Sequence, residues 1–219
     1  MLDAPARVDG RGRPRRHDEP RIALVPRSAP VLPAPLTRLI GRAAEVAAVR
    51  DALLGPEVRL LTLVGAPGIG KTRLALAVAH ALVGDPPAGA NGERGAGPGF
   101  ADGVVFVPLA PLRDPELVVP AIAHALGVRE IGGRPVLDSL QAALRERRLL
   151  LVLDNCEHLL AAAPVVGDLL TACPGLTVLA TSRAPLHVYG EHEYPVPPLA
   201  LPDLARLAHP AALAGVPAV

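Results

Sequence analysis

The sequence predicts an α/β fold, a parallel sheet with helices on both faces. Two observations predict it. Strand-like apolar runs alternate with helix-like runs along the chain, and strands apolar throughout belong in a sheet covered on both sides. The stretch Gly65-Ala66-Pro67-Gly68-Ile69-Gly70-Lys71-Thr72 stands between one such strand and one such helix. With 219 residues, about half of them apolar, the chain is long enough for one α/β domain with a core of its own.

Residues 1–35 carry Arg11, Arg13, Arg15, Arg16, Arg21 and Arg27 among many prolines and show no periodicity, so they read as a disordered Arg/Pro-rich lead. A basic arm for nucleic acid is the sharper alternative. It lacks interleaved aromatics, and Asp3, Asp9, Asp18 and Glu19 dilute its charge. Residues 43–54 read as a helix with Val46, Val49 and Leu53 on one face, ended by Gly55-Pro56. Residues 58–64 are apolar and partly β-branched, a buried strand. Residues 73–82 form a helix with Leu74, Val78 and Leu82 four apart. Gly and Pro crowd residues 84–103, a surface loop.

Residues 104–107 are a strand. Asp114-Pro115-Glu116 then begins a helix with a side-chain cap, a proline at the first position and an acid in the first turn; it stops at Gly127. After the break at Gly132-Gly133-Arg134-Pro135, residues 136–147 form a helix with Leu137, Leu140 and Leu144 on one face and Arg145, Arg147 and Arg148 at its end. Residues 149–153 and 176–180 are strands, and 157–172 a helical stretch kinked or broken at Pro164. The Ala/Pro/Leu-rich residues beyond Pro197 read as the start of a truncated lid. The expected organisation is a lead over 1–35, a nucleotide domain over 36–200 and a lid fragment or tail over 201–219.

The glycine stretch matches G-x-x-x-x-G-K-[ST], the phosphate-binding loop of P-loop NTPases, with strand and helix in the places the mechanism requires. Glycines let backbone N–H groups of Gly65, Ala66, Pro67-flanked Gly68, Ile69 and Gly70 approach a polyphosphate closely. The helix N-terminus adds donors and partial positive charge. Lys71 reaches the β- and γ-phosphates, Thr72 ligates Mg²⁺, and Arg73 borders the site. Asp154, at the tip of a buried strand, is the second Mg²⁺ ligand in the Walker B arrangement. Arg183 follows the strand over 176–180, and strand ends on one edge of a parallel sheet converge on the ligand crevice. There it has the chemistry to tell triphosphate from diphosphate.

These residues, in this order, resemble the STAND class of P-loop ATPases, close to the NB-ARC (AP-ATPase) regulators. The likeness is nearest to the ATPase module of bacterial transcriptional regulators of the AfsR and LuxR types. Leu39-Ile40-Gly41-Arg42-Ala43-Ala44-Glu45 resembles the hhGRxxE motif of that class. Leu149 to Asn155 with Cys156-Glu157-His158-Leu159 resembles its Walker B segment. Ala180-Thr181-Ser182-Arg183 resembles its sensor segment, and residues 191–199 its last core strand. The likeness spans roughly residues 36–203. It implies about five strands in a 2-3-4-1-5 order, ATP or ADP with Mg²⁺ as ligands, and contact of Gly41 and Arg42 with the base and sugar side. It also implies slow hydrolysis that switches a larger regulator, and partners among that regulator's other domains or a second copy.

Two departures from the pattern stand out. Asn155 occupies the place where fast P-loop ATPases carry an acid that orients water; an amide holds water but cannot take its proton. Glu157 is close in sequence without a geometric reason to replace it. The chain also ends at Val219, before the helical domain and winged helix expected in this class.

Composition narrows the remaining classes. A net charge of +1 gives no bulk attraction to nucleic acid or to a membrane surface. With no Trp, two Tyr and two Phe, base-stacking platforms are nearly absent, so no direct nucleic-acid contact is expected. Cys156 and Cys173 have neither disulfide-framework nor zinc spacing and read as core thiols in a reducing compartment. The histidines show no ligand spacing, and His158 reads as a surface residue. No apolar run approaches the ~20 residues that span a bilayer, and no secretory signal is evident; a cytoplasmic location is expected. Two rival functions remain open: a fragment that holds nucleotide without turnover and serves as an interaction module, and an AAA+-type ATPase. The second needs another acid after Asp154, which Asn155 does not supply. A small-molecule kinase is disfavoured because no acceptor-binding lid is evident.

Overall fold

The computed structural model describes residues 32–35, 37–84, 99–128, 133 and 135–199. Most of the N-terminal lead, of the Gly/Pro loop and of the break near residue 132, and the proposed lid start beyond 200, lie outside the described residues.

Five strands, β1 (Leu60–Val64), β2 (Val104–Pro108), β3 (Leu149–Asp154), β4 (Leu176–Ser182) and β5 (Glu191–Pro195), form one sheet in the order β2-β3-β4-β1-β5. Every neighbouring pair is parallel. This is the α/β P-loop NTPase fold, with the strand order that the family resemblance implied. The helices are α1 (Ala43–Leu54), α2 (Lys71–Gly84), α3 (Val118–Leu126), α4 (Val136–Leu144) and α5 (Ala163–Ala172).

The sheet divides two cores by the strand's period of two. Leu149, Leu151 and Leu153 of β3 join Val105, Val107, Val178 and residues of α3, α4 and α5 on one face. Leu150 and Val152 join Leu61, Leu63, Leu179 and the α1 and α2 residues Val49, Leu53, Leu74 and Val78 on the other. All six residues of β3 are buried. Full burial of one Leu is worth about 1.5–3 kcal/mol, so a strand that buries both faces makes a strong central element.

Helix ends differ from the sequence reading in three places, each for a local reason. The segment from Asp114 opens as a 3-10 turn, Pro115–Leu117, before α3 begins. Asp114 Oδ1 accepts from the Glu116 N–H at 2.9 Å, and Gly127, with φ 69°, ends α3 in the left-handed region. The helix expected over 136–147 stops at Leu144, so the arginines follow it rather than fill its last turn. The backbone of Arg148 is already taken: its N–H donates to Asp102 Oδ2 at 2.8 Å and its carbonyl accepts from the Asp102 N–H at 2.9 Å. Pro164 does not break a long helix. Two 3-10 turns, Cys156–His158 and Leu160–Ala162, precede α5, and Pro164 lies in its first turn, where a missing N–H leaves no bond unmade.

One glycine sets the approach of two strands. The Leu149 N–H donates to Gly175 O at 3.2 Å, and a Cβ on Gly175 would overlap the Arg147 carbonyl. Gly175→Ala is expected to cost about 1–3 kcal/mol, read as a lower urea midpoint at unchanged m-value. A midpoint equal to that of the parent chain would show that the backbone yields there freely.

Candidate functional site

The parallel register brings the functional loops to one edge. Val64 pairs with Ser182 and Leu153 with Ala180. Gly65 and Arg183 therefore leave the sheet at the same level, and Asp154 ends β3 one strand away. β4 lies between the strand that feeds the loop and the strand that carries Asp154.

Residues 65–70 join β1 to α2. Gly68 and Gly70 have φ of 77° and 97°, conformations costly for other residues. A Cβ at either would meet nothing within 4 Å, so backbone shape rather than crowding requires glycine, and the space beside the loop is open. Gly65 differs: a Cβ there would lie 3.3 Å from both Ile69 Cγ2 and the Val196 carbonyl oxygen. Lys71 is nearly buried, and its Nζ donates to Gly65 O at 2.7 Å and Ala66 O at 3.0 Å. Both acceptors are neutral, and among the described residues no carboxylate pairs with the ammonium.

Asp154 is 7% exposed. Its Oδ1 accepts from Thr72 Oγ1 and from Thr181 Oγ1, each at 2.7 Å. The Asn155 N–H in turn donates to Thr181 Oγ1 at 2.9 Å. The site thus joins three elements through hydroxyls: α2 by Thr72, β3 by Asp154, β4 by Thr181. Thr181 lies in the sensor-like segment, but sequence reasoning gave it no role of its own, because nothing in its neighbours says that its hydroxyl would reach Asp154. Thr72 and Asp154 supply hydroxyl and carboxylate oxygens side by side, a hard donor pair that suits Mg²⁺ rather than a soft metal.

Asn155 has φ 71° and turns the chain out of β3. Its side-chain Nδ2 lies 3.2 Å from His158 Nδ1, and His158 Nε2 lies 2.8 Å from Leu112 O. A carbonyl only accepts, so Nε2 carries the proton and Nδ1 accepts from the amide. Beneath the site, Cys156 is buried and free, and burial, aided by the charges of Asp154 and Glu157, pushes its thiol up to about 12. Cys173 is also buried and free, its thiol raised by burial. Neither is a reactive thiol.

Each of the three arginines expected near the nucleotide has a protein partner. Arg42, 4% exposed, donates from Nη1 to Glu45 Oε1 at 2.8 Å and from Nη2 to Ile69 O at 3.2 Å. Its guanidinium braces the loop, and Gly41 before it is left-handed, φ 70°. Burial raises the Glu45 carboxyl, but the hydrogen bond and charge of Arg42 outweigh it and hold the group below its usual range. Arg73 Nη2 donates to Arg38 O at 2.8 Å and Thr37 Oγ1 at 3.0 Å, which fastens the segment before α1 onto α2. Arg183 Nε donates to Glu157 Oε1 at 2.8 Å. A cleft of about 440 Å³ there is lined by Ala110, Asn155, Glu157, His158, Arg183 and Ala184. A larger cleft, about 720 Å³, lies where Arg59 leads into β1 and Gly190 into β5, at the opposite ends of the strands.

Residues 57–191 match the AAA domain family. The chain belongs to that family. It is 43% identical over 148 residues to a candidate HTH-type transcriptional regulator of Mycobacterium tuberculosis, a match over 67% of this chain and 15% of that protein. It is 32% identical over 163 residues to the regulatory protein AfsR of Streptomyces griseus, 69% of this chain and 15% of that one. The AAA domain thus spans a small part of these regulators. Among solved structures, Drosophila ORC bound to DNA aligns with a TM-score of 0.50 at 16% identity, over 75% of this chain and 45% of that chain, a likeness of fold. Among the described residues no helix is long and apolar enough to cross a membrane.

Thr181→Val is expected to leave the Asn155 N–H unpaired and to remove one donor from Asp154. The expected loss is about 1–3 kcal/mol of stability, measured by denaturant unfolding. A loss below about 0.5 kcal/mol would mean that solvent replaces the hydroxyl.

Proposed function

We propose that this AAA domain is the nucleotide-switch module of a larger regulator, of the STAND class and NB-ARC-like. It binds ATP with Mg²⁺, hydrolyses it slowly, and its nucleotide state biases two arrangements of the whole protein. The observation that carries this reading is the 2.7 Å contact of Thr72 Oγ1 with Asp154 Oδ1, beside a lysine held on the glycine loop. Two oxygens from two different elements converge where a metal shared with phosphate would be held.

In this reading the loop N–H groups and the α2 N-terminus hold the phosphates. Lys71 exchanges its neutral carbonyl partners for phosphate oxygens, a stronger charge-assisted contact. Mg²⁺, when bound, neutralises charge developing between the β- and γ-phosphates. Thr72 and Asp154 would hold it. Asn155 orients a water but takes no proton, and its Nδ2 already has His158 as a partner; slow turnover follows. Arg183 senses the third phosphate. The proposed organisation is a lead over 1–35, the nucleotide domain over 36–200, and a lid fragment or tail over 201–219. Other domains of the regulator, or a second copy, are the proposed partners, and the reducing cytoplasm the proposed location. The AAA family match also favours a second reading, an AAA-type ATPase that assembles with its own kind; light scattering that reports nucleotide-dependent rings would select it.

Lys71→Ala is expected to weaken ATP binding by roughly tenfold or more; calorimetry that finds the affinity unchanged would reject the nucleotide assignment. Asn155→Glu is expected to change single-turnover hydrolysis by roughly an order of magnitude with affinity nearly constant. A flat rate would remove the water-positioning role.

A further inference from the structure

Glu157 lies three residues past Asp154, in the 3-10 turn Cys156–His158, and its side chain is 14% exposed. It makes one hydrogen bond among the described residues, from Arg183 Nε to Oε1 at 2.8 Å. Its other oxygen, Oε2, is buried without a partner. Arg183 is the opposite case. Its side chain is 60% exposed, and among the described residues only its Nε is engaged, although a guanidinium carries five N–H donors. The pair is therefore side-on and single, not the bidentate fork that makes Arg–carboxylate contacts strong.

The register adds direction. Arg183 is the residue after Ser182, and Ser182 pairs with Val64, the residue before Gly65. Arg183 leaves β4 at the level at which the glycine loop leaves β1, and Glu157 holds it over the β3 side of the edge. A one-donor ion pair whose arginine is exposed to solvent is weak. A phosphate that accepts from both terminal nitrogens is a better partner. Release of Arg183 nevertheless leaves a carboxylate largely buried and unpaired, and that resists the exchange.

We infer that Glu157 is a latch on Arg183: it holds the guanidinium away from the glycine loop, and a triphosphate must displace it. Glu157 thereby sets how strongly the site prefers ATP over ADP without itself touching either nucleotide; it is a positioning residue. The inference rests on the reading that Arg183 senses the third phosphate. It also gives Glu157 a role that replaces the missing acid at position 155 with restraint rather than with catalysis.

The test is calorimetric titration of the 219-residue chain with Mg²⁺-ADP and with a Mg²⁺-bound non-hydrolysable ATP analogue. Four proteins are compared: the parent, Glu157→Gln, Arg183→Met and the double variant. Glu157→Gln is expected to tighten the triphosphate roughly three- to fivefold, the size set by a weak single-bond pair, with ADP unchanged. The double variant is expected to match Arg183→Met. If Arg183→Met lowers the triphosphate-to-diphosphate preference while Glu157→Gln leaves it alone, the latch is wrong and the sensor reading survives. If Arg183→Met changes nothing, the sensor reading is wrong and the latch falls with it. Thermal unfolding checks that each variant folds; should Glu157→Gln not fold, Glu157→Met fills the same half-buried space without a polar atom and carries the same expectation.

Discussion

A single carboxylate oxygen joins the parts of this site. Asp154 Oδ1 receives one hydroxyl from the first turn of α2 and another from the end of β4, both at 2.7 Å. A buried carboxylate needs such donors. Because they come from the helix after the glycine loop and from the neighbouring strand, satisfying Asp154 also fastens the loop to the sheet. The rest follows from where the strands end. β4 must stand between β1 and β3 for Thr181 to reach Asp154, and the parallel register then places Arg183 level with Gly65.

The charged groups around this knot are arranged by protein contacts. Arg42 braces Ile69, Arg73 holds the segment before α1, Lys71 sits on loop carbonyls and Arg183 sits on Glu157. These contacts differ in how firmly they are made. Arg42 is buried and paired with Glu45 as well as with a backbone carbonyl, so its release would leave several groups unpaired. Arg183 is exposed and makes one bond. The second kind of contact is the easier one to exchange for another acceptor.

The central elements were legible because local pattern and global burial agree. β3 is apolar along its whole length and buried along its whole length; α1 spans the residues its periodicity outlined. The ends were less legible. α4 stops at Leu144, and beyond it the Arg148 backbone is bonded to Asp102, 46 residues away, a pairing that no local pattern announces. Whether Pro164 breaks a helix or begins one depends on how the chain turns out of β3 at Asn155, which no short-range signal specifies.

The sequence by itself determined the glycine loop, the lysine and threonine after it and the carboxylate at the tip of a buried strand, because each is written in a contiguous run whose local geometry is its function. It also determined that helices must cover both faces, since strands apolar at every position have no face to show to water. Tertiary structure alone decided who touches whom. It made Thr181 a partner of Asp154, Arg42 a brace for Ile69 and Glu157 the holder of Arg183. The first and last of these follow from strand order and register, and all three join residues 26 or 27 positions apart that meet only in the folded chain.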